Sequence, residues 1–212
     1  MISLPRLLLV TDRHRAAPRD IVEIVTAAIK GGVEFVQLRE KDLPAGELFA
    51  LAQRLRAITR GHARLVINDR ADVALACDAD GVHLGEASLP VSAARKIVGP
   101  QKLVGRSVHT VTAAREAERD GADYLIAGAI FPTASHPDMA PQGLNFLREV
   151  CAAVHVPVFA IGGITHLNAR DCLTAGAHGV AVVGEIIGAE NPEQRARELS
   201  ELLTKLLRFG SL

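Results

Sequence analysis

The sequence predicts one domain, residues 1–212, folded as a single (β/α)8 barrel of the TIM type. Three observations carry this expectation. A signal marking a helix end and the strand after it recurs four times, four more apolar runs fall between the recurrences, and the intervening segments have helical periodicity. Strict alternation of strand and helix builds βαβ units on a parallel sheet, and strands covered on both faces read as near-continuous apolar runs.

The first run is Leu7 to Val10, and behind it Ile21, Ile24, Val25, Ala28 and Ile29 recur at the 3.6-residue period of a helix. That helix ends where the repeated signal first occurs, at Gly32-Val33-Glu34-Phe35-Val36: a small residue for a left-handed cap, a polar residue, then a strand. Leu48, Leu51, Ala52, Leu55 and Ile58 form the next helix, followed by the run Leu65 to Ile67. The signal returns at Asp78-Ala79-Asp80-Gly81-Val82, at Gly121-Ala122-Asp123-Tyr124-Leu125 and at Gly176-Ala177-His178-Gly179-Val180. The runs Leu103 to Gly105 and Val158 to Ile161 alternate with these, giving eight strands. Pro18, Pro44 and Pro90 stand near helix starts, where a missing N–H costs little. The rival is an open doubly wound sheet, but an internal repeat whose strand count reaches eight favours closure, with short loops to fit so small a chain.

Composition narrows the function. With 24 basic and 24 acidic residues the formal charge is zero, so bulk electrostatics favours neither a nucleic acid nor an anionic membrane as partner. The expected partners are small phosphorylated molecules, with a homo-oligomer compatible with the sequence. The three cysteines, Cys77, Cys151 and Cys172, are widely spaced with no CxxC pair, which predicts buried small hydrophobes in a reducing, cytoplasmic compartment. The apolar run near Met1 is too short for a signal peptide or a membrane span.

In a barrel the loops after the strands converge on one face, so polar residues just downstream of each run should meet there. Gln37, Arg39 and Lys41 occupy alternate positions at a strand end and share one side, where a guanidinium fork and an ammonium suit a phosphate or diphosphate. The plainer reading is a solvated charge run in which Arg39 and Lys41 pair with Glu40 and Asp42. Asn68 and Asp69 end another strand and offer hard oxygen ligands to Mg2+, although Asx residues also start turns. Glycines in the loops after strands seven and eight, Gly162-Gly163 and Val183-Gly184, let backbone N–H groups approach an anion, or merely make tight turns. Thr133, Ser135 and His136 lie in a long loop, Phe131 to Gly143, whose prolines either frame a substrate clamp or stiffen a surface. Ser107 is a further contact, while His83 and His109 read as hydrogen-bonded core histidines.

With those positions in view, the sequence resembles the thiamine phosphate synthase and TenI superfamily along nearly its whole length. The matching segments are Val10-Thr11-Asp12, Gln37-Leu38-Arg39-Glu40-Lys41, Ile67-Asn68-Asp69, Gly81-Val82-His83-Leu84-Gly85, Phe131-Pro132-Thr133 and Ala160-Ile161-Gly162-Gly163-Ile164. The resemblance implies a Mg2+-dependent transferase that couples 4-amino-5-hydroxymethyl-2-methylpyrimidine diphosphate with thiazole phosphate. It implies that Arg39, Lys41, Asn68 and Ser107 hold the diphosphate, Gln37 contacts the pyrimidine and Asp69 binds the metal. Thr133, Ser135, Gly163, Val183 and Gly184 are implied around the thiazole phosphate.

Two positions depart from the synthase pattern. Glu86 and Ser88 stand where a glutamine and a second metal-binding aspartate are usual, which makes Glu86 a candidate metal ligand. His136 stands where a catalytic lysine is usual, a weaker and pH-dependent cation. TenI-like thiazole tautomerases share the barrel and a segment like Arg106-Ser107-Val108-His109, but their catalytic histidine falls at Ala129. Two further functions suit a barrel that grips phosphate. One is an aldolase or epimerase of phosphorylated sugars, in which an aldolase would need Lys41 to form a Schiff base, and the second is a non-catalytic sensor of thiazole or thiamine phosphate.

Overall fold

The computed structural model describes residues 4–133 and 140–209. Its strands are β1 (Leu7–Val10), β2 (Phe35–Leu38), β3 (Arg64–Asn68), β4 (Gly81–Leu84), β5 (Leu103–Val108), β6 (Tyr124–Ala127), β7 (Val158–Ile161) and β8 (Gly179–Val182). All pair in parallel in chain order and β1 closes on β8, so the barrel is complete. Helices α1 (Arg13–Ala16), α2 (Ile21–Lys30), α3 (Ala45–Thr59), α4 (Ala71–Ala76) and α5 (Val91–Val98) surround the first half. The second half carries α6 (Val111–Arg119), α7 (Gly143–Ala153), α8 (Ala169–Thr174), α9 (Gly184–Ile187) and α10 (Pro192–Phe209). None of the described helices is long and apolar enough to cross a membrane.

The repeated signal has a backbone cause. Gly32, Asp78, Gly121 and Gly176 all adopt positive φ, at 100°, 52°, 94° and 101°, and each turns the chain from a helix into an even-numbered strand. Pro44 and Pro90 sit at the N-caps of α3 and α5 as the sequence suggests, while α2 is capped by the Asp20 carboxylate, which accepts from the Val22 N–H. Helix α10 seals the ring by lying across α2, so closely that a Cβ on Gly31 would sit 2.3 Å from the Glu193 carbonyl oxygen.

One strand outruns its apolar signal. The sequence ends it at Gly105, but the ladder continues through Arg106↔Leu125, Ser107↔Ile126 and Val108↔Ala127, so Arg106 and Ser107 are strand rather than loop residues. Their polarity disguises a strand whose far end opens onto solvent.

Two apolar layers result. Residues facing outward from the strands, such as Leu38, Leu65 and Leu125, pack under the helices with side chains such as Leu55 of α3, all fully buried. A second cluster, including Leu8, Phe35, Val66, Tyr124, Ile126 and Phe159, fills the barrel lumen. The thiols join the outer layer: none is in a disulfide, and burial pushes Cys151 up to about 11 and Cys172 to about 12, so they fill space rather than react.

Candidate active site

The chain holds only seven Phe and Tyr residues and no Trp, and three of them form the floor of the site. Phe35, Tyr124 and Phe159 meet edge to face in the lumen with centroids 5.3, 5.8 and 5.9 Å apart. One step further along the inward rows, nearer the C-terminal ends of the strands, come Gln37 of β2, Asn68 of β3, His83 of β4 and Ser107 of β5.

These polar residues are wired from an anionic end. The Asp69 carboxylate accepts from the Gly85 N–H at 2.9 Å and from the Ser88 hydroxyl on Oδ1, and from Asn68 Nδ2 at 2.7 Å on Oδ2. A carboxylate only accepts, so Asn68 must turn its NH2 toward Asp69 and its oxygen toward Gln37, whose Nε2 donates to it at 2.9 Å. This leaves Gln37 Oε1 as the outer end of the chain, buried and without a partner among the described residues. Asp69 is held at a φ of 61°, a left-handed conformation tolerated by Asp at some cost, which turns its carboxylate back into this network.

The cations lie on the neighbouring loop. Glu40 accepts from the Arg13 backbone N–H and guanidinium, and Asp42 pairs with Arg13 and His14. These pairings hold Asp42 well below the usual carboxylate range, with the Arg13 hydrogen bond the main cause. The two acids are thereby taken by the loop after β1, and the solvated charge run is not what forms. Among the described residues neither Arg39 nor Lys41 has a side-chain hydrogen bond or ion pair, and the Arg39 backbone N–H is pinned to Thr11 Oγ1 at 2.9 Å.

The loop after β4 is tied down by Arg106, whose guanidinium donates to the carbonyls of Glu86 and Leu89. Within it Ser88, not Glu86, reaches Asp69. The Glu86 carboxylate is largely exposed, 3.8 Å from His109 Nε2. On the far side of the mouth, Gly162 and Gly163 adopt positive φ and press against the β6 loop, where a Cβ on Gly163 would sit 2.3 Å from the Pro132 carbonyl oxygen. Their close packing alone requires glycine at both positions. Gly184 begins α9 directly after Val183, and Arg15 Nη1 lies 3.3 Å from where its Cβ would be. Thr133 is half-buried beside this region, while Ser135 and His136 lie outside the described residues.

His83 is enclosed. Its Nδ1 meets the Tyr124 hydroxyl at 3.2 Å and its Nε2 meets Ser107 Oγ at 2.9 Å, and burial pushes its pKa down to about 3, so the ring is neutral.

The family profile described as thiamine monophosphate synthase matches residues 7–186. The chain belongs to that family. It is 47% identical over 195 residues to the thiamine-phosphate synthase of Roseiflexus castenholzii, covering 91% of this chain and 86% of the relative. It is also 47% identical to a putative thiamine-phosphate synthase of Geobacter sulfurreducens, covering 93% of each. Thiamine phosphate pyrophosphorylase from Pyrococcus furiosus superposes with a TM-score of 0.87 at 41% identity, covering 95% of this chain and 96% of that one.

In this member of the family the structure brings Gln37, Asn68, Asp69 and Ser107 together around one mouth, with Arg39 and Lys41 on its β2 side. Two contributors, Arg15 and Tyr124, have no site role in the sequence reading, and two appear there in other roles: Glu40 as a partner of Arg39 and Lys41, and Ser88 as a departure from the usual aspartate. The Glu40 partner lies 27 positions away, and no local pattern announces it. Tyr124 had a signal that was available, since a lone Tyr in an inward strand row needs a partner for its hydroxyl.

Proposed function

We propose that this thiamine monophosphate synthase family member is a transferase coupling 4-amino-5-hydroxymethyl-2-methylpyrimidine diphosphate with thiazole phosphate, giving thiamine phosphate and diphosphate in the cytoplasm. The observation that carries the reading is Gln37 Oε1. Among the described residues it is the buried side-chain oxygen without a hydrogen-bond partner, and such an acceptor costs about 1–3 kcal/mol until something donates to it. The exocyclic amine of an aminopyrimidine is a donor of the right kind, above an aromatic floor.

Seated there, the pyrimidine directs its diphosphate toward Arg39 and Lys41, whose charges are not consumed by Glu40 or Asp42, with Asn68 and Ser107 as hydrogen-bonding neighbours. The carbon–oxygen bond to the diphosphate breaks with its electron pair leaving on oxygen, and the aminopyrimidine ring spreads the positive charge left on carbon. The thiazole nitrogen then donates its lone pair to that carbon. Thr133, Ser135, Gly163, Val183 and Gly184 hold the thiazole phosphate in this reading, and His136 takes the place of the lysine. Alignment and electrostatic stabilisation of the departing anion are the protein's main contributions.

The donor set fits Mg2+ in a minimal way. Asp69 Oδ2 accepts one hydrogen bond and keeps a further lone pair, but among the described residues no group of three His, Cys, Asp or Glu side chains converges. One carboxylate plus substrate oxygens is a usual Mg2+ environment. Asp69 would hold the ion, with Glu86 at most an outer contributor, and the ion would neutralise charge on the departing diphosphate.

The tautomerase reading finds little support, because Ala129 is a buried methyl against Gly162 rather than an acid–base group. The deciding experiment incubates the protein with both substrates and Mg2+, oxidises the product to fluorescent thiochrome, and repeats the assay in EDTA. Metal-dependent fluorescence is the expected result. Absence of product while thiazole phosphate still binds would overturn the synthase in favour of a tautomerase or sensor.

A further inference from the structure

His83, Tyr124 and Ser107 form a chain of three polar groups whose proton directions are set by the structure. Tyr124 is completely buried, and its hydroxyl has one hydrogen-bond partner among the described residues, His83 Nδ1 at 3.2 Å. A phenol that accepted from Nδ1–H would leave its own proton buried without an acceptor, at a cost of about 1–3 kcal/mol. The phenol therefore donates and Nδ1 is bare. A ring buried to 1% exposure stays neutral, so its single proton is on Nε2 and is donated to Ser107 Oγ at 2.9 Å. With an oxygen lone pair occupied from the barrel side, the Ser107 hydroxyl keeps its own proton to donate elsewhere.

The backbone is shaped for this arrangement. Gly105, the inward residue before Ser107 on the same strand, has no room for a side chain because a Cβ there would lie 2.1 Å from Tyr124 Cζ. The phenol rests on β5, and the 5.3 Å contact with Phe35 and the 5.8 Å contact with Phe159 hold its ring. Packing of this kind costs nothing at the moment of reaction, which is what makes a fixed donor effective.

We propose that Tyr124 and His83 are positioning residues, a one-way hydrogen-bond relay that holds the Ser107 proton outward as a donor to the departing diphosphate oxygen. The proposal rests on the synthase reading only for the identity of the acceptor. The direction of the relay is a property of the substrate-free protein.

Nitrogen-15 NMR of histidine-labelled protein tests the direction, with His83→Gln assigning the signal. The expected spectrum has His83 with a protonated Nε2 and a bare Nδ1, and Tyr124→Phe lets the second tautomer appear. A protonated Nδ1 with a bare Nε2 in the wild type would overturn the relay even if thiamine phosphate is formed.

Kinetics test the consequence. Tyr124→Phe is expected to lower kcat about five- to tenfold, the worth of one misdirected hydrogen bond, with little change in the KM for the pyrimidine substrate. In a Ser107→Ala background the same change should cost less than about twofold, because nothing remains to be oriented. Equal losses in both backgrounds would refute the relay and leave Tyr124 a packing residue. If Tyr124→Phe does not fold, His83→Gln and His83→Asn replace it. The longer Gln places its amide nitrogen near the Nε2 position and should retain at least several-fold more activity than Asn, and equal activities would count against the relay. A wild type with the expected tautomer but no synthase activity would fail the proposed function, and with it the diphosphate as acceptor.

Discussion

The two ends of the barrel treat the same residue types in opposite ways. At the N-terminal end, Asp80 Oδ2 accepts from the Leu65 N–H at 2.7 Å and from Arg56 at 2.9 Å. One repeat later, Asp123 Oδ2 accepts from the Val104 N–H at 2.7 Å and pairs with Arg95. Each acid caps the start of the preceding strand and is neutralised by an arginine from a helix, so charge there is spent on holding β3 to β4 and β5 to β6. Among the described residues at the C-terminal end, Arg39 and Lys41 have no such partners and Gln37 Oε1 has no donor. At the N-terminal end the acids are matched by arginines and backbone donors, with Arg56 Nε the buried side-chain atom there without a partner among the described residues, while the other end is left wanting a ligand, the division expected of a barrel whose chemistry sits at the C-terminal ends of its strands.

That contrast breaks cleanly under mutation. Arg39→Ala and Asp69→Ala should each lower turnover about 10²–10³-fold, the scale of losing a preorganised charge, with the melting temperature nearly unchanged in Arg39→Ala and lowered in Asp69→Ala, where the Gly85 N–H and Asn68 Nδ2 lose their acceptor. Loss of stability with turnover retained would reverse the assignment of the two ends. Asp123→Ala should do the opposite. It strands the Val104 N–H and Arg95, a cost of about 2 kcal/mol or about 4–8 °C in melting temperature, with kcat intact at 25 °C. Ser88→Asp sharpens the metal question on a smaller scale. A second carboxylate beside Asp69 should lower the Mg2+ concentration for half-maximal turnover about tenfold, and calorimetry in the presence of diphosphate reads the same gain without catalysis. An unchanged Mg2+ requirement would move the ion away from Asp69.

The N-terminal end was the more legible in the sequence. Its capping acids and left-handed turns are local, so the recurrence of Gly32, Asp78, Gly121 and Gly176 marks the even-numbered strands, and apolar runs mark the odd ones. The open end was legible as a set of positions, since residues at strand ends must converge in a closed barrel, and Gln37, Asn68, Asp69 and Ser107 do converge. Their states were not legible. Whether Arg39 faces a ligand or a neighbouring acid depends on Arg13 taking Glu40, and whether Ser107 donates or accepts depends on Tyr124 reaching His83 across 41 positions of chain. Helices α1 and α9 hold four residues each, too few to show a period, yet they carry Arg15 and Gly184 to one another.

Acid titration probes the boundary between the two ends, because His83 is a buried group that belongs to both packing and site. Its folded pKa is pushed down to about 3 by burial, outweighing the attraction of Asp69, while an unfolded histidine titrates near 6.5. Between those values the unfolded chain binds a proton that the folded chain refuses, so stability is fully present above about pH 6.5 and is lost as the pH falls. From pH 6.5 to 5.5 this one ring accounts for about 1 kcal/mol, or about 2–4 °C. His178 is shifted down by burial as well and works in the same direction. His83→Gln removes the ionisable ring, so its melting temperature should fall less steeply over that interval than the wild type's, by about that amount. Parallel slopes would mean that His83 is hydrated and protonatable in the folded protein, and the neutral ring on which Ser107 depends would be lost with it.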